Sequence, residues 1–288
     1  MEKGKVPKIS SSLWGYREWT RKKALEDIGR TGYGGVEIVM HALGTPVGFH
    51  LDQNELPLGE ENLDQLEKEL NAYGLRVICL SPSSDFLTPP GSSRQNTNLP
   101  VPDDMTVLRK VIDLATKLGK PYVRPFPCSD KPRHMTTQEA IDIIVRGLRE
   151  CAEYAESCDI KLAVDITHSR VTGVVKNAIE VIERVDSENC GINIHTSGRT
   201  SLLLAEAFIY NGWGYKIFHT HLVDSKAVPG QPHGQPVPLG EGDNYIEEFL
   251  RILRDAKYSG WYNFEGRKED AKASFLYLNE KLKSLGIT

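Results

Sequence analysis

The sequence predicts an α/β protein folded as one closed (β/α)8 barrel, a single domain over residues 1–288. Three observations carry this. Short β-rich runs alternate with amphipathic helical runs along the chain, which implies a parallel sheet, and eight such units imply closure. Four strand-like runs in the second half each end in a metal-ligating or acid/base side chain. The long segments rich in Pro, Gly, His and Asn all follow strands, whereas most returns from helix to strand are short, which marks the strand C-terminal face as the active one.

The elements follow in order. KISSSLW (8–14) is the first strand, and TRKKALEDIGRTG (20–32) the first helix, ending on Gly32. GGVEIVM (34–40) is the second strand, followed by the long segment 41–61 and the helix NLDQLEKELNAYG (62–74). RVICLSP (76–82) and a second long segment, 81–102, precede the helix DDMTVLRKVIDLATKLG (103–119). YVRPFP (122–127) is the fourth strand, and 127–136 the loop after it. TTQEAIDIIVRGLRECAEYAES (136–157) opens on Thr136 and Glu139, a capping box. KLAVDIT is the fifth strand, NAIEVIERV (177–185) its helix, and CGINIHT and KIFHTHL the sixth and seventh strands. A long segment, 225–243, leads to the helix NYIEEFLRILRDAKYSG (244–260), the eighth strand WYNFEG (261–266) and the tail helix AKASFLYLNEKLKSLG (271–286). In the helical runs apolar residues recur at i, i+3, i+4 and i+7, and Gly closes several of them where a left-handed cap is needed.

Bulk properties exclude several classes. A chain of 288 residues that is 40% hydrophobic can bury a sizeable core. Its net charge of −4 and pI near 6.1 argue against a nucleic-acid partner, which calls for a basic face. No run of about 18 apolar residues predicts a membrane span, and MEKGKVPKIS lacks an apolar signal region, so the expected location is cytoplasmic. The five cysteines form no CxxC pair and read as buried, reduced thiols. A doubly wound open sheet is the alternative fold, weakened because no GxGxxG follows the first strand; no nucleotide cofactor is expected. A homo-oligomer is compatible with the sequence, which does not fix the oligomeric state.

The chemistry sits at the strand tips. Side chains alternate across a strand, so Ala163 shares a face with Asp165, Asn193 with His195, Ile217 and His219 with His221, and Trp261 and Asn263 with Glu265. A polar residue on the inner face of a barrel must be paired, hydrated or metal-bound. Two imidazoles and two carboxylates converging on one rim suit Mn²⁺, Co²⁺, Zn²⁺ or Fe²⁺ better than Ca²⁺. A metal-free hydrogen-bond network is the alternative.

These residues also carry a resemblance. GYGGVEI, LAVD with His168, FHTHLVD and PLGEGDNYIEEFLRILRDAKYSGWYNFEG resemble the xylose isomerase-like TIM barrel superfamily, the sugar phosphate isomerases and epimerases, over essentially the whole chain. The resemblance implies one divalent ion, Mn²⁺, Co²⁺, Zn²⁺ or Mg²⁺, held by Asp165, His195, His221 and Glu265. Asp165 stands where the family usually has Glu, one methylene longer. His195 stands where it usually has Asp, which removes a negative charge. The implied activity is isomerisation or epimerisation of a sugar or polyol through an enediolate. Glu265 and Asp165 would exchange the proton, with His168 as relay.

Further candidates are substrate contacts. Glu37 matches the family's acid on strand two, as a substrate contact or as a structural pairing. Arg124 binds a substrate oxygen or neutralises carboxylates. Asp224 orients His221 or binds Lys226, and Trp14 with Tyr16 forms a sugar-stacking wall or packs as ordinary core. His219 reads as a core or supporting histidine and His233 as a solvated lid residue. The alternative functions are a lyase or dehydratase on a keto-sugar or inosose using the same site, and a non-catalytic member with a degenerate metal site. An apurinic endonuclease is disfavoured, for want of further ligands and a basic face.

Overall fold

Eight parallel strands close into a barrel: β1 (Ile9–Ser12), β2 (Gly35–His41), β3 (Arg76–Pro82), β4 (Tyr122–Val123), β5 (Leu162–Asp165), β6 (Cys190–His195), β7 (Ile217–Leu222) and β8 (Tyr262–Phe264). The structure is a computed structural model that describes residues 7–41, 51–52, 55–88, 103–128, 130–166 and 169–287. Closure is made at β1, which pairs with β2 (Ser12 opposite Glu37) and with β8 (Ser10 opposite Asn263). Among the described residues, eight α-helices surround the strands: α1 (Arg21–Thr31), α2 (Glu60–Asn71), α3 (Asp104–Lys117), α4 (Thr137–Ser157), α5 (Val175–Val185), α6 (Arg199–Tyr210), α7 (Ile246–Asp255) and α8 (Ala271–Ser284).

The period-2 pattern sorts the strand residues. Outward residues such as Val36, Ile38, Leu162, Val164, Ile192 and Ile194 pack under the helices with no exposure. Each contributes about 1.5–3 kcal/mol of hydrophobic stabilisation. The inward tiers are polar: Ser10, Glu37, Ser81, Asp165, Asn193, His195, His219, His221 and Asn263 are all buried. The capping box of Thr136 and Glu139 forms as expected, and Gly32 takes the left-handed conformation, φ 110°, at the end of α1. Four of the five cysteines are buried and all five are free thiols. No described helix is long and apolar enough to cross a membrane.

The structure departs from the sequence reading in four places. The first strand stops at Ser12, whose hydroxyl accepts from Trp14 N at 3.2 Å and starts a 3₁₀ turn, Leu13–Tyr16. The fourth strand is two residues long because Pro125 and Pro127 have no N–H to donate to the ladder. Helix α6 has no counterpart in the sequence reading. Its run SLLLAEAFIY is apolar on several faces, so its period is blurred: Leu204 and Phe208 are buried while Leu203 and Tyr210 are exposed. Residues 225–243, expected to be a loop, carry most of an antiparallel hairpin, Asp224–Val228 with Gln231–Val237.

Candidate metal centre

Parity and register deliver the four strand tips to one rim. β5 and β6 pair Asp165 with Asn193, and β6 and β7 pair His195 with His221, so the inward side chains of adjacent strands stack side by side. Asn263 of β8 lies opposite His221, which places Glu265 one inward step further up.

The donor atoms meet at short range. His195 Nε2 is 3.2 Å from Asp165 Oδ2 and 2.8 Å from His221 Nδ1. Glu265 Oε2 is 3.1 Å from His221 Nδ1 and 3.4 Å from His195 Nδ1. Asp165, His195 and His221 each offer one ligand atom within 4.8 Å of the others, and Glu265 borders both imidazoles. Beneath them Glu37 is fully buried: Ser81 Oγ donates to Oε1, with Arg124 Nε at 3.3 Å, and Asn263 Nδ2 donates to Oε2 at 2.7 Å. His221 Nε2 lies 2.8 Å from Glu37 Oε2, and His219 Nε2 lies 3.5 Å from it. The guanidinium of Arg124 donates to Asp165 Oδ2 and, at 2.9 Å, to Ser81 Oγ.

The electrostatics follow from this packing. Burial alone would raise the pKa of Asp165, but His195 and Arg124 outweigh it and hold the carboxyl well below the usual carboxylate range. The same competition, won by His221 and its neighbouring histidines, holds Glu37 and Glu265 low. Burial pulls His221 down, yet Glu265 and Glu37 dominate and push it up to about 10. His219, for which burial wins, is lowered.

The residues fit a divalent ion. Metal–donor bonds of about 2.0–2.2 Å set neighbouring donors of one shell roughly 3 Å apart, close to the spacings among Asp165, His195, His221 and Glu265. Asp165 Oδ1 is buried with no hydrogen-bond partner, a donor atom left for a ligand. The mixed imidazole–carboxylate set favours a transition-metal ion or Mg²⁺ over Ca²⁺.

A cleft of about 1150 Å³ opens above the rim, and Glu265 is the member of the four that lines it. Trp14 also lines it, 36% exposed, with the Arg17 guanidinium 4.3 Å from its ring centroid. Of the other expected substrate contacts, Asp224 also lines the cleft. Arg124 is committed to Asp165, Glu37 and Ser81, so it neutralises carboxylates. Glu37 is buried below the rim, where Ser81, Asn263 and Arg124 contact its carboxylate. The Asp224 carboxylate accepts N–H groups from Ser225, Gly240, Gly242 and Asn244 at 2.9–3.2 Å, which knots the hairpin segment over the cleft and leaves neither His221 nor Lys226 as its partner. A Cβ on Gly242 would sit 2.1 Å from Asp224 Oδ1, which accounts for glycine there. Lys226 is exposed and does not line the cleft. His168 and the side chain of His233 lie outside the described residues. The supporting roles of Ser81, Asn263 and Ser10 had no sequence signal beyond inward parity.

A family model described as xylose isomerase-like TIM barrel matches residues 25–281. No curated protein sequence matches the chain. Solved structures match over nearly its whole length. A xylose isomerase-like TIM barrel protein from Mycobacterium smegmatis in complex with magnesium superposes at TM-score 0.70 and 15% identity, covering 98% of each chain. D-psicose 3-epimerase with D-tagatose from Clostridium cellulolyticum H10 gives TM-score 0.67 and 15% identity, over 96% of this chain and 99% of that one. The probable 3-DHS dehydratase AsbF from Bacillus anthracis gives TM-score 0.69 and 16% identity, over 94% and 98%. At these identities the likeness is one of fold.

Proposed function

The chain belongs to the xylose isomerase-like TIM barrel family, and from that premise we propose that it is a divalent-metal-dependent isomerase or epimerase of a small sugar or polyol. The observation that carries this reading is the convergence of Asp165, His195, His221 and Glu265 at ligand spacing on the rim below an open cleft. Those four residues would hold the ion. When bound, it supplies a Lewis acid that polarises a sugar carbonyl and the hydroxyl beside it.

The remaining steps belong to the side chains. Glu265 is 12% exposed against 2% for Asp165, so Glu265 is the carboxylate that meets substrate. Its depressed pKa keeps it ionised, ready to take the proton from the carbon next to the carbonyl. Asp165, tied to Arg124, stays charged as a ligand and is assigned no proton transfer of its own. The hairpin segment fastened by Asp224 roofs the cleft, and Trp14 walls it. The same base would serve the elimination reading. Loss of a hydroxyl from the next carbon instead of proton return gives a dehydrated product, and product analysis separates the two.

The test is deuterium exchange at the carbon beside the carbonyl, followed by NMR across a panel of ketoses and inososes, with metal content measured in parallel. We expect near-stoichiometric metal and exchange that chelation abolishes. Exchange that persists after verified metal removal refutes the metal dependence. A chain that binds no divalent ion and exchanges nothing is the non-catalytic member.

A further inference from the structure

The two nitrogens of His221 face different worlds. Nδ1 faces the rim, 2.8 Å from His195 Nε2 and 3.1 Å from Glu265 Oε2. Nε2 faces down, 2.8 Å from Glu37 Oε2, in a position where both residues are fully buried. The Nε2–H direction is not aligned with that oxygen, so the contact is an ion pair at short range and not a linear hydrogen bond.

A neutral imidazole carries a proton on one nitrogen and a lone pair on the other. A lone pair on Nε2 would confront a carboxylate oxygen at 2.8 Å with no water to screen it, and such buried repulsion is expensive. A proton there is attracted instead. That leaves the lone pair on Nδ1, among the other three candidate ligands.

We propose that Glu37 is a positioning residue that fixes His221 in the Nε2–H tautomer, so that Nδ1 binds the ion, and that its carboxylate supplies one of the negative charges that balance the centre. The inference rests on the reading of His221 as a ligand. Glu37 is itself clamped: Asn263 donates to Oε2 at 2.7 Å, Ser10 Oγ fixes Asn263 at 2.9 Å, and Ser81 and Arg124 hold Oε1. Among the described residues, the carboxylates of Glu37, Asp165 and Glu265, the guanidinium of Arg124 and one divalent ion sum to a neutral centre. Without Glu37 the buried assembly would carry a net positive charge. A carboxylate behind a metal-bound imidazole both orients it and raises its basicity.

The experiment is two-part and uses the full chain. In the zinc-loaded protein labelled with ¹⁵N-histidine, long-range ¹H–¹⁵N correlation reads the tautomer of His221, assigned by loss of its signal in His221→Asn. Zinc affinity of the native chain and of Glu37→Gln is then measured by competition with a chromophoric chelator. We expect a protonated Nε2, a metal-shifted Nδ1, and affinity weaker by about 10–100-fold in Glu37→Gln. Metal on Nε2, two zinc ions per chain (Glu37, His219 and His221 then forming a second site), or unchanged affinity in a folded Glu37→Gln overturns the inference while His221 remains a ligand. Failure of the native chain to take up zinc, or zinc bound without perturbing His221, overturns the metal reading itself. Should Glu37→Gln not fold, the tautomer of the native chain decides alone.

Discussion

Loading the centre with a divalent ion should expel one proton from the protein. In the ion-free chain His221 is pushed up to about 10 by Glu265 and Glu37. At pH 7 it is therefore protonated, and a proton occupies the nitrogen that the ion needs. Asp165 and Glu265, held low, are already ionised and release nothing. The apparent dissociation constant should thus fall about tenfold per pH unit between pH 7 and 9. Calorimetric titration with Mn²⁺ or Zn²⁺ in two buffers of different ionisation enthalpy counts the protons directly, and we expect about one. A count of zero, or an affinity flat across that range, would refute the competition between proton and ion. Stability carries the same signature. The folded pKa of His221 lies above the unfolded value of roughly 6.5, so its contribution to ion-free stability is full below that value. It is lost as pH rises through about 10. The ion-free chain should melt at progressively lower temperature towards pH 10, and the loaded chain should lose less.

Arg124→Leu removes the guanidinium that pairs with both Asp165 and Glu37; we expect a loss on the order of 3–5 kcal/mol in denaturant unfolding, and an unchanged midpoint would show that the pairing is immaterial. His195→Asp adds a carboxylate beside the ion and should strengthen Mn²⁺ binding, read by calorimetry; unchanged or weaker binding would mean that His195 is not a ligand. Asp224→Ala frees the four N–H groups that its carboxylate accepts. We expect about 1–3 kcal/mol less stability and faster proteolytic nicking within 225–243, whereas an equally resistant hairpin would show that other contacts hold it.

The sequence and the structure agree where physics is local. Period-2 alternation places Asp165, His195, His221 and Glu265 on the inner face, because their outward neighbours Val164, Ile194 and Phe264 are apolar and buried. Helix boundaries are legible where a cap marks them, as at Thr136 and Gly32. What sequence could not give is contact across the barrel. Glu37 meets His221 because the barrel's stagger brings β2 and β7 level, and no pattern along the chain encodes stagger. Arg124 meets Asp165 across the neighbouring strands β4 and β5, a register that the sequence pattern does not encode either. Helix α6 escaped notice because an element apolar on most sides loses its period. The hairpin escaped because Pro232, Gly234 and Pro236 read as loop residues, whereas its pairing shifts register between Gln231 and Gln235 to accommodate them.

The position of β8 sets an order of events. Synthesis runs from the N-terminus, so Glu37, Arg124, Asp165, His195 and His221 all leave the ribosome before the strand that carries Asn263 and Glu265. Until β8 slots between β7 and β1, the cylinder has an open seam, Glu37 lacks its Asn263 donor and the rim lacks Glu265. A chain in which β8 has not yet docked therefore offers an incomplete set of the candidate ligands, and the full set exists only in the closed barrel.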